Sequence, residues 1–146
     1  MTNLKIGDKA PQFKELKNYK DKILVLYFYP RDNTPGCTKE ACSFRDEFKI
    51  LKKKGIGVLG VSPDSEESHE KFKTKLNLPF ELISDSDKKL ANKYGVWVEK
   101  INFGKKYFGI KRTTFIIEKN KIKEIIKTVD TKDSANQVLK KLGFFT

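Results

Sequence analysis

A continuous apolar segment, Ile23 to Tyr29, constrains the fold of this chain more than any other feature. Seven apolar side chains in succession are typical of a β-strand buried on both faces, and such strands occur in parallel sheets covered by helices. Pro30 ends the segment, and the stretch from Asp32 to Gly36 is rich in turn-forming residues. The segment is too short to span a membrane, which takes about 20 apolar residues.

The residues after this turn have the spacing of an amphipathic helix that runs from about Cys37 to Lys54 and ends at Gly55. Apolar positions recur at steps of four and three and therefore share one face of the helix. They are Cys37, Ala41, Phe44, Phe48 and Leu51.

The remaining chain alternates strand and helix patterns. We expect strands over 56–61, 80–84, 113–118 and 122–128, and helices over 63–76, 87–94 and from Asp130 or Thr131 to about Leu142. Asp64 is the candidate N-cap of the second helix. Residues 96–110 are expected to be irregular, and residues 119–121 to turn a final hairpin. This order predicts a single α/β domain over 1–146, with a mostly parallel, helix-covered sheet and an antiparallel hairpin at its edge.

The net charge of +12 suggests a nucleic-acid partner, but the type of basic residue argues against it. The arginines, which make the paired hydrogen bonds of base recognition, are Arg31, Arg45 and Arg112 alone among 31 basic residues. The lysines are spread along the chain and mixed with acids, so we expect no nucleic-acid partner and a solvated basic surface. The start of the chain has no apolar signal-peptide core, which predicts a cytoplasmic protein without a membrane anchor.

The chain has two cysteines, Cys37 and Cys42, and one histidine, His69. Two cysteines are too few for a disulfide-rich scaffold, and their spacing matches neither a Cys-x-x-Cys motif nor a zinc site. Cys37 is predicted at the end of a buried strand and in the first turn of a helix, where ligand sites lie and where unpaired N–H groups favour a thiolate. A small buried hydrophobic role for Cys37 fits the local context equally well.

The spacing of the cysteines along one helix restricts what they can do. Five helical residues place their Cα atoms about 8.5 Å apart, whereas a disulfide needs at most about 7 Å. Cys37 and Cys42 can therefore bond only if the helix unwinds locally. Two unrelated helical cysteines remain the alternative at this point.

Five ordered blocks of the sequence resemble the peroxiredoxins of the bacterioferritin-comigratory or Q type. The first block holds Tyr27-Phe28-Tyr29-Pro30, Asn33-Thr34-Pro35-Gly36-Cys37-Thr38, Glu40-Ala41-Cys42 and Phe44-Arg45-Asp46. The others are Gly60-Val61-Ser62-Pro63-Asp64-Ser65, Ser68-His69-Glu70-Lys71-Phe72 with Leu78-Pro79-Phe80, Tyr94-Gly95-Val96-Trp97, and Arg112-Thr113-Thr114-Phe115. The resemblance covers most of the chain and implies a thioredoxin-like fold with a central mixed sheet flanked by helices.

The resemblance implies a thiol-dependent peroxidase that reduces hydrogen peroxide and organic hydroperoxides to water or alcohols. Cys37 would be the peroxidatic cysteine, oxidised to a sulfenic acid, and Cys42 the resolving cysteine that forms an intramolecular disulfide with local helix unwinding. Thr34 would hydrogen-bond the peroxide and the thiolate, Pro30 would shield the thiolate, and Arg112 would place a guanidinium beside sulfur and peroxide.

Thioredoxin or a similar dithiol donor would then reduce the disulfide. No metal, haem or flavin is expected, because sulfur performs the redox step. An internal resolving cysteine favours a monomer, although it does not forbid a dimer. Compared with the family, the stretch from Pro11 to Ile23 is short and the last helix lacks a histidine near its start.

Other residues of these blocks have weaker claims to function. Glu40 could bind a loop or a charged partner, or lie on an exposed helix face. Arg45 and Asp46 are expected to be structural ion-pair partners rather than catalysts. His69, the sole histidine, could be a general base, but a surface or packing role is expected because a preformed thiolate needs no base. Trp97 could line a pocket, although core or loop packing is the default.

Two other functions remain to be distinguished. One is an anionic-surface binding module with this fold, which would show salt-dependent binding. The other is a peroxiredoxin whose main role is signalling or partner binding.

Overall fold

The computed structural model describes residues 2–144 and contains seven strands and five helices within them. The strands are β1 (Ile23–Phe28), β2 (Ile56–Ser62), β3 (Glu81–Ser84), β4 (Trp97–Asn102), β5 (Lys105–Ile110), β6 (Thr113–Glu118) and β7 (Lys121–Ile126). The helices are α1 (Pro35–Asp46), α2 (Phe48–Lys53), α3 (Glu66–Leu76), α4 (Lys89–Lys93) and α5 (Ser134–Lys141). Short 3₁₀ turns at Lys14–Tyr19 and Thr131–Asp133 complete the order.

Five strands form one sheet in the order β3-β2-β1-β6-β7. The pairs β1–β2 and β2–β3 are parallel, whereas β1–β6 and β6–β7 are antiparallel. The predicted mixed sheet flanked by helices is therefore confirmed. The final hairpin, β6–β7, forms one end of the sheet, as expected. The expectation of a mostly parallel sheet is wrong, because two of its four strand pairs are antiparallel.

Strand β1 is the centre of the molecule and is buried on both faces, as its continuous apolar sequence predicts. Val25 and Tyr27 point into a core that α1 and α5 cover, with Phe44 and Leu139 among its members. Leu24, Leu26 and Phe28 point into a second core on the opposite face, which α4 covers. This alternation follows from the two-residue period of a strand.

The single helix expected from Cys37 to Lys54 is two helices. The backbone leaves the helical region at Glu47, with φ −102° and ψ 8°, and α2 begins at Phe48. No proline or glycine lies at this break, so the local sequence does not show it. Four of the five residues of the predicted apolar face, Cys37, Ala41, Phe44 and Leu51, are nevertheless buried, and Phe48 is partly buried.

The segment 96–110, which was expected to be irregular, is a two-stranded antiparallel hairpin of β4 and β5. Its two-residue turn, Phe103 and Gly104, has positive φ at both positions, as a type I′ turn requires. Phenylalanine rarely adopts positive φ, so the sequence carried no ordinary turn signal there. Phe103 is 98% exposed at the tip.

Helix ends differ from the sequence-based expectation by a few residues. Ser65 rather than Asp64 caps α3, and its side chain accepts a hydrogen bond of 3.1 Å from the Ser68 amide. The last helix begins at Ser134 after a 3₁₀ turn, and neither predicted cap, Asp130 or Thr131, precedes it directly. Within residues 2–144, no helix is long and apolar enough to cross a membrane.

Candidate active site

The beginning of α1 carries the cysteine that the sequence singles out. Thr34 is the N-cap, with extended backbone angles, and Pro35 starts the helix with the fixed φ that suits that position. Cys37 is the third helical residue, so its amide is one of the N–H groups with no acceptor inside the helix. The residue is buried, with 1% of its surface exposed.

Arg112 reaches this thiol from the neighbouring strand. Antiparallel pairing sets Thr113 of β6 opposite Phe28 of β1, so Arg112 lies just beyond the end of β1. Its Nη2 atom donates a hydrogen bond of 3.2 Å to Cys37 Sγ. A Cβ atom on Gly36 would lie 3.2 Å from the same Nη2, so the glycine gives the guanidinium room to approach the helix.

The second nitrogen of this guanidinium, Arg112 Nη1, donates a hydrogen bond of 2.7 Å to Glu40 Oε1. Glu40 is fully buried, so of its two predicted settings the charged partner is confirmed and the exposed helix face is wrong. Burial raises the pKa of Glu40 to about 7 and Arg112 opposes that rise. Burial lowers the pKa of Arg112, but Glu40 and Cys37 outweigh this effect and raise it, so the guanidinium remains a cation.

Two buried polar atoms beside this ion pair have no hydrogen-bond partner among the described residues. They are Glu40 Oε2 and the hydroxyl of Tyr27. The Tyr27 ring stacks on Tyr29 at 5.4 Å and lies against Phe44 of α1 at 4.9 Å. The thiol side of α1 is therefore held by aromatic packing and by one ion pair.

Pro30 and Thr34 flank the loop above the thiol. The Thr34 hydroxyl donates a hydrogen bond of 2.9 Å to the Arg31 carbonyl, which leaves its oxygen lone pairs free to accept. Pro30 is half-buried and directly follows the last buried residue of the strand segment, Tyr29. The structure thus brings Cys37 and Arg112 into contact and keeps Thr34 and Pro30 on the adjoining loop.

Cys42 lies further along α1 and is half-buried, and both cysteines are free thiols. Both belong to one continuous helix, Pro35–Asp46, so the distance argument from helix geometry applies to the folded state. Glu40 lies between them in the chain.

A second polar cluster, which the sequence did not indicate, holds the loop from below. The Asp32 carboxylate accepts hydrogen bonds from Tyr29 Oη at 2.6 Å, Ser68 Oγ at 2.7 Å and His69 Nδ1 at 2.7 Å. The Asp32 amide donates to Asp64 Oδ2 at 2.7 Å. The surface role considered for His69 is wrong, because the ring is only 5% exposed.

The remaining candidates have structural settings. Arg45 Nε contacts Asp46 Oδ1 at 2.9 Å, as expected of an ion pair, and Arg45 Nη1 donates to the Leu76 carbonyl at 2.9 Å. Trp97 stacks on Phe108 of the β4–β5 hairpin, with ring centroids 6.5 Å apart.

Comparison with known proteins places these features in a family. The model of the AhpC/TSA family matches residues 3–125. The chain is 51% identical to the putative peroxiredoxin bcp of Coxiella burnetii, over 80% of this chain and 83% of that protein. It is 48% identical to the peroxiredoxin Bcp of Bacillus subtilis, over 95% of each.

Solved structures agree with this result. A cysteine-to-serine variant of Xylella fastidiosa PrxQ superposes with a TM-score of 0.89 at 35% identity and 97% coverage of both chains. The bacterioferritin comigratory protein of Xanthomonas campestris, described by its alkyl peroxide reduction activity, gives 0.84 at 32% identity and 97% coverage of both chains. The predicted thioredoxin-like fold is therefore confirmed.

Proposed function

The chain belongs to the AhpC/TSA family and is a peroxiredoxin, a thiol-dependent peroxidase, and from this premise we propose that Cys37 is its peroxidatic cysteine. The observation that carries the proposal is the 3.2 Å contact between Arg112 Nη2 and Cys37 Sγ at the start of α1. A fixed cation and the free amides of a helix N-terminus both favour the thiolate, which is the nucleophilic form of cysteine.

In the first step the Cys37 thiolate attacks one oxygen of the peroxide. The S–O bond forms as the O–O bond breaks, and the leaving oxygen takes a proton to become water or an alcohol. Arg112 stabilises the negative charge that develops on that oxygen. Thr34, whose hydrogen already serves the Arg31 carbonyl, accepts the hydrogen bond of the peroxide O–H, and Pro30 shields the thiolate from water.

In the second step the sulfur of Cys42 attacks the Cys37 sulfenic acid. The disulfide bond forms, the S–O bond breaks and the oxygen leaves as water, so one peroxide has consumed two thiols. The helical Cα separation of about 8.5 Å exceeds what a disulfide spans. The first turns of α1 must therefore unwind, and this motion breaks the contacts of Arg112 with Cys37 and with Glu40.

In the third step an external dithiol restores the enzyme by thiol–disulfide exchange, with thioredoxin or a thioredoxin-like protein as the donor. The proposed location is the cytoplasm, where such dithiol donors are kept reduced. The substrates are hydrogen peroxide and organic hydroperoxides, in keeping with the alkyl peroxide reduction described for the Xanthomonas campestris relative. Because both sulfurs belong to one chain, the cycle needs no second subunit and a monomer suffices for it.

Intact mass spectrometry of the reduced protein after one equivalent of peroxide tests this cycle. We expect a monomer that has lost about 2 Da and both free thiols. Cys42→Ser should gain about 16 Da instead and react further with excess peroxide, and Cys37→Ser should not react. Two free thiols remaining in the wild type, or a disulfide between two chains, would contradict the proposal.

A further inference from the structure

The only histidine of the chain occupies an unusual setting outside the thiol site. His69 lies in α3, with Nδ1 2.7 Å from Asp32 Oδ2 and Nε2 3.0 Å from the carbonyl oxygen of Ile83 in β3. Both ring nitrogens therefore face oxygen atoms, and the ring is almost completely buried.

These partners determine the protonation state of the ring. A backbone carbonyl can only accept a hydrogen bond, so Nε2 must carry a hydrogen. The Asp32 carboxylate also accepts from Tyr29 and Ser68, which favours its ionised form and requires Nδ1 to donate as well. A neutral imidazole would set a lone pair against one of the two oxygens, whereas an imidazolium satisfies both.

The charges around the ring agree with this assignment. Burial alone lowers the pKa of His69, but the hydrogen bond and charge of Asp32, the Ile83 carbonyl and the charge of Asp64 outweigh it and raise that pKa. Burial alone raises the pKa of Asp32, but the hydrogen bonds from His69, Tyr29 and Ser68 lower it. The groove beside the ring is lined by further charged groups, which are Glu15, Glu66, Glu70, Lys73 and Glu81.

Asp32 connects this ion pair to the reacting residues. It is 6% exposed and lies between Pro30 and Thr34, within the loop that leads into α1. Its carboxylate accepts hydrogen bonds from residues of α3 and from the end of the β1 segment. Its backbone amide donates a hydrogen bond to Asp64, which precedes α3. A displacement of Asp32 would therefore move Thr34, two residues later, and the start of the helix that holds Cys37.

We propose that His69 is a positioning residue for the peroxide reaction: as a buried imidazolium it holds Asp32, and through Asp32 the loop that presents Thr34 and Cys37. This inference rests on the proposed role of Cys37. His69 itself neither binds peroxide nor exchanges a proton with it. Its contribution is to the geometry of the loop, because a displacement of about 1 Å at a reacting group is enough to slow a reaction strongly.

Two substitutions of His69 by amide side chains test the hydrogen bonds of the two ring nitrogens separately. His69→Asn can place its amide nitrogen near the position of Nδ1 and keep a donor to Asp32, whereas His69→Gln can keep a donor to Ile83 and leaves Asp32 without one. The measurement is the second-order rate constant for oxidation of Cys37 by hydrogen peroxide, in a single turnover at pH 7. We expect His69→Gln to lower it about tenfold or more and His69→Asn about threefold. Lys71→Ala, an exposed change on the same helix, is the control and should leave the rate unchanged.

Two further readouts distinguish positioning from a loss of stability. Asp32→Asn should lower the rate constant as much as His69→Gln does. The variant that carries both substitutions should react no more slowly than the slower of the two single variants, because both substitutions remove the same contact. The ratio of the wild-type rate to that of His69→Asn should fall as the pH rises through the raised pKa of His69, where the wild type loses its imidazolium. Fully additive effects, or a ratio independent of pH, would overturn the inference.

NMR of the wild type tests the charge without any substitution. The single imidazole should hold both of its protons to a higher pH than an ordinary histidine, whose pKa is about 6.5. A ring that loses a proton at or below that pH would overturn the proposal even if His69→Gln fails to fold. A wild type that reduces peroxide at a normal rate, together with an equally fast, folded His69→Gln, would refute the role of His69 alone. An inactive wild type would refute the proposed function instead.

Discussion

Glu40 accepts a hydrogen bond of 2.7 Å from Arg112 Nη1. This contact joins α1 to the end of the sheet at a position of the helix that lies between its two cysteines. The same guanidinium contacts the Cys37 sulfur through Nη2. In the proposed cycle, the group that stabilises the thiolate therefore also anchors the segment that would unwind before Cys42 reaches Cys37. Because one side chain makes both contacts, unwinding of the first turns of α1 would disrupt both.

The guanidinium of Arg112 is expected to be needed for its shape as well as its charge. Lysine keeps the charge but lacks the planar fork that holds one N–H on Cys37 and another on Glu40. We expect Arg112→Lys to slow the peroxide reaction about 10²-fold while the far-ultraviolet circular dichroism spectrum stays unchanged. Stopped-flow oxidation of Cys37 measures the rate, and Lys111→Arg next to it is the control. A rate equal to that of the wild type would contradict the proposed role.

The hydroxyl of Thr34 is expected to matter for the reaction more than for the fold. Thr34→Val removes the oxygen that we propose accepts the peroxide hydrogen, and it leaves the Arg31 carbonyl without its donor. We expect the second-order rate constant with hydrogen peroxide to fall about 10- to 100-fold. Thr34→Ser keeps the oxygen and should retain most of the rate. The proposal would be wrong if both variants lost activity equally.

The buried carboxyl of Glu40 should make stability depend on pH. Its pKa is about 7 in the folded protein and near 4.5 when exposed, so the folded state binds its proton more tightly. Below pH 4.5 the protonated Glu40 makes its full contribution to the free energy of unfolding. This contribution is lost as the pH rises towards 7, and the loss is at most about 3 kcal/mol. Glu40→Gln cannot titrate, so its free energy of unfolding relative to the wild type should increase between pH 5 and pH 8.

Urea unfolding of the reduced proteins at several pH values measures this difference. Glu67→Gln is the matched control, because Glu67 is exposed on α3 and pairs only with Lys71 at 3.3 Å. The free energy of unfolding of the Glu67 variant should change with pH in the same way as that of the wild type across the whole range. If the free energy of unfolding of the Glu40 variant also changes with pH as that of the wild type does, the buried carboxyl keeps an ordinary pKa.

Two stacked tyrosines allow a direct comparison of a bonded and an unbonded hydroxyl. Tyr29 Oη donates to Asp32 at 2.6 Å, whereas Tyr27 Oη has no partner among the described residues. Tyr29→Phe should lower the free energy of unfolding by about 1.5–3 kcal/mol, since it removes a hydrogen bond to a charged group. Tyr27→Phe should leave stability unchanged or raise it slightly. Equilibrium urea unfolding compares the two, and equal losses would contradict the assigned contacts.

Local sequence signals were sufficient for the elements around Cys37. The apolar run into Pro30 predicted β1, and the spacing from Cys37 to Leu51 predicted the buried face of the helix that follows. The break at Glu47 and the β4–β5 hairpin were not predictable in this way. At Glu47 no helix-breaking residue is present, and at Phe103 an aromatic residue adopts a turn conformation that it rarely takes.

The family and the fold class were determined by the sequence itself, because ordered motifs and short-range periodicity are properties of the chain. Only the tertiary structure decided which distant side chains meet. Pairing of β6 with β1 brings Arg112 to Cys37 and Glu40, and packing of α3 under the loop brings His69 to Asp32. These contacts join residues 37 to 75 positions apart in the chain, and no local pattern encodes such a contact. Burial then decides their charge, since the same carboxyl or imidazole ionises differently once water is excluded and a partner is fixed.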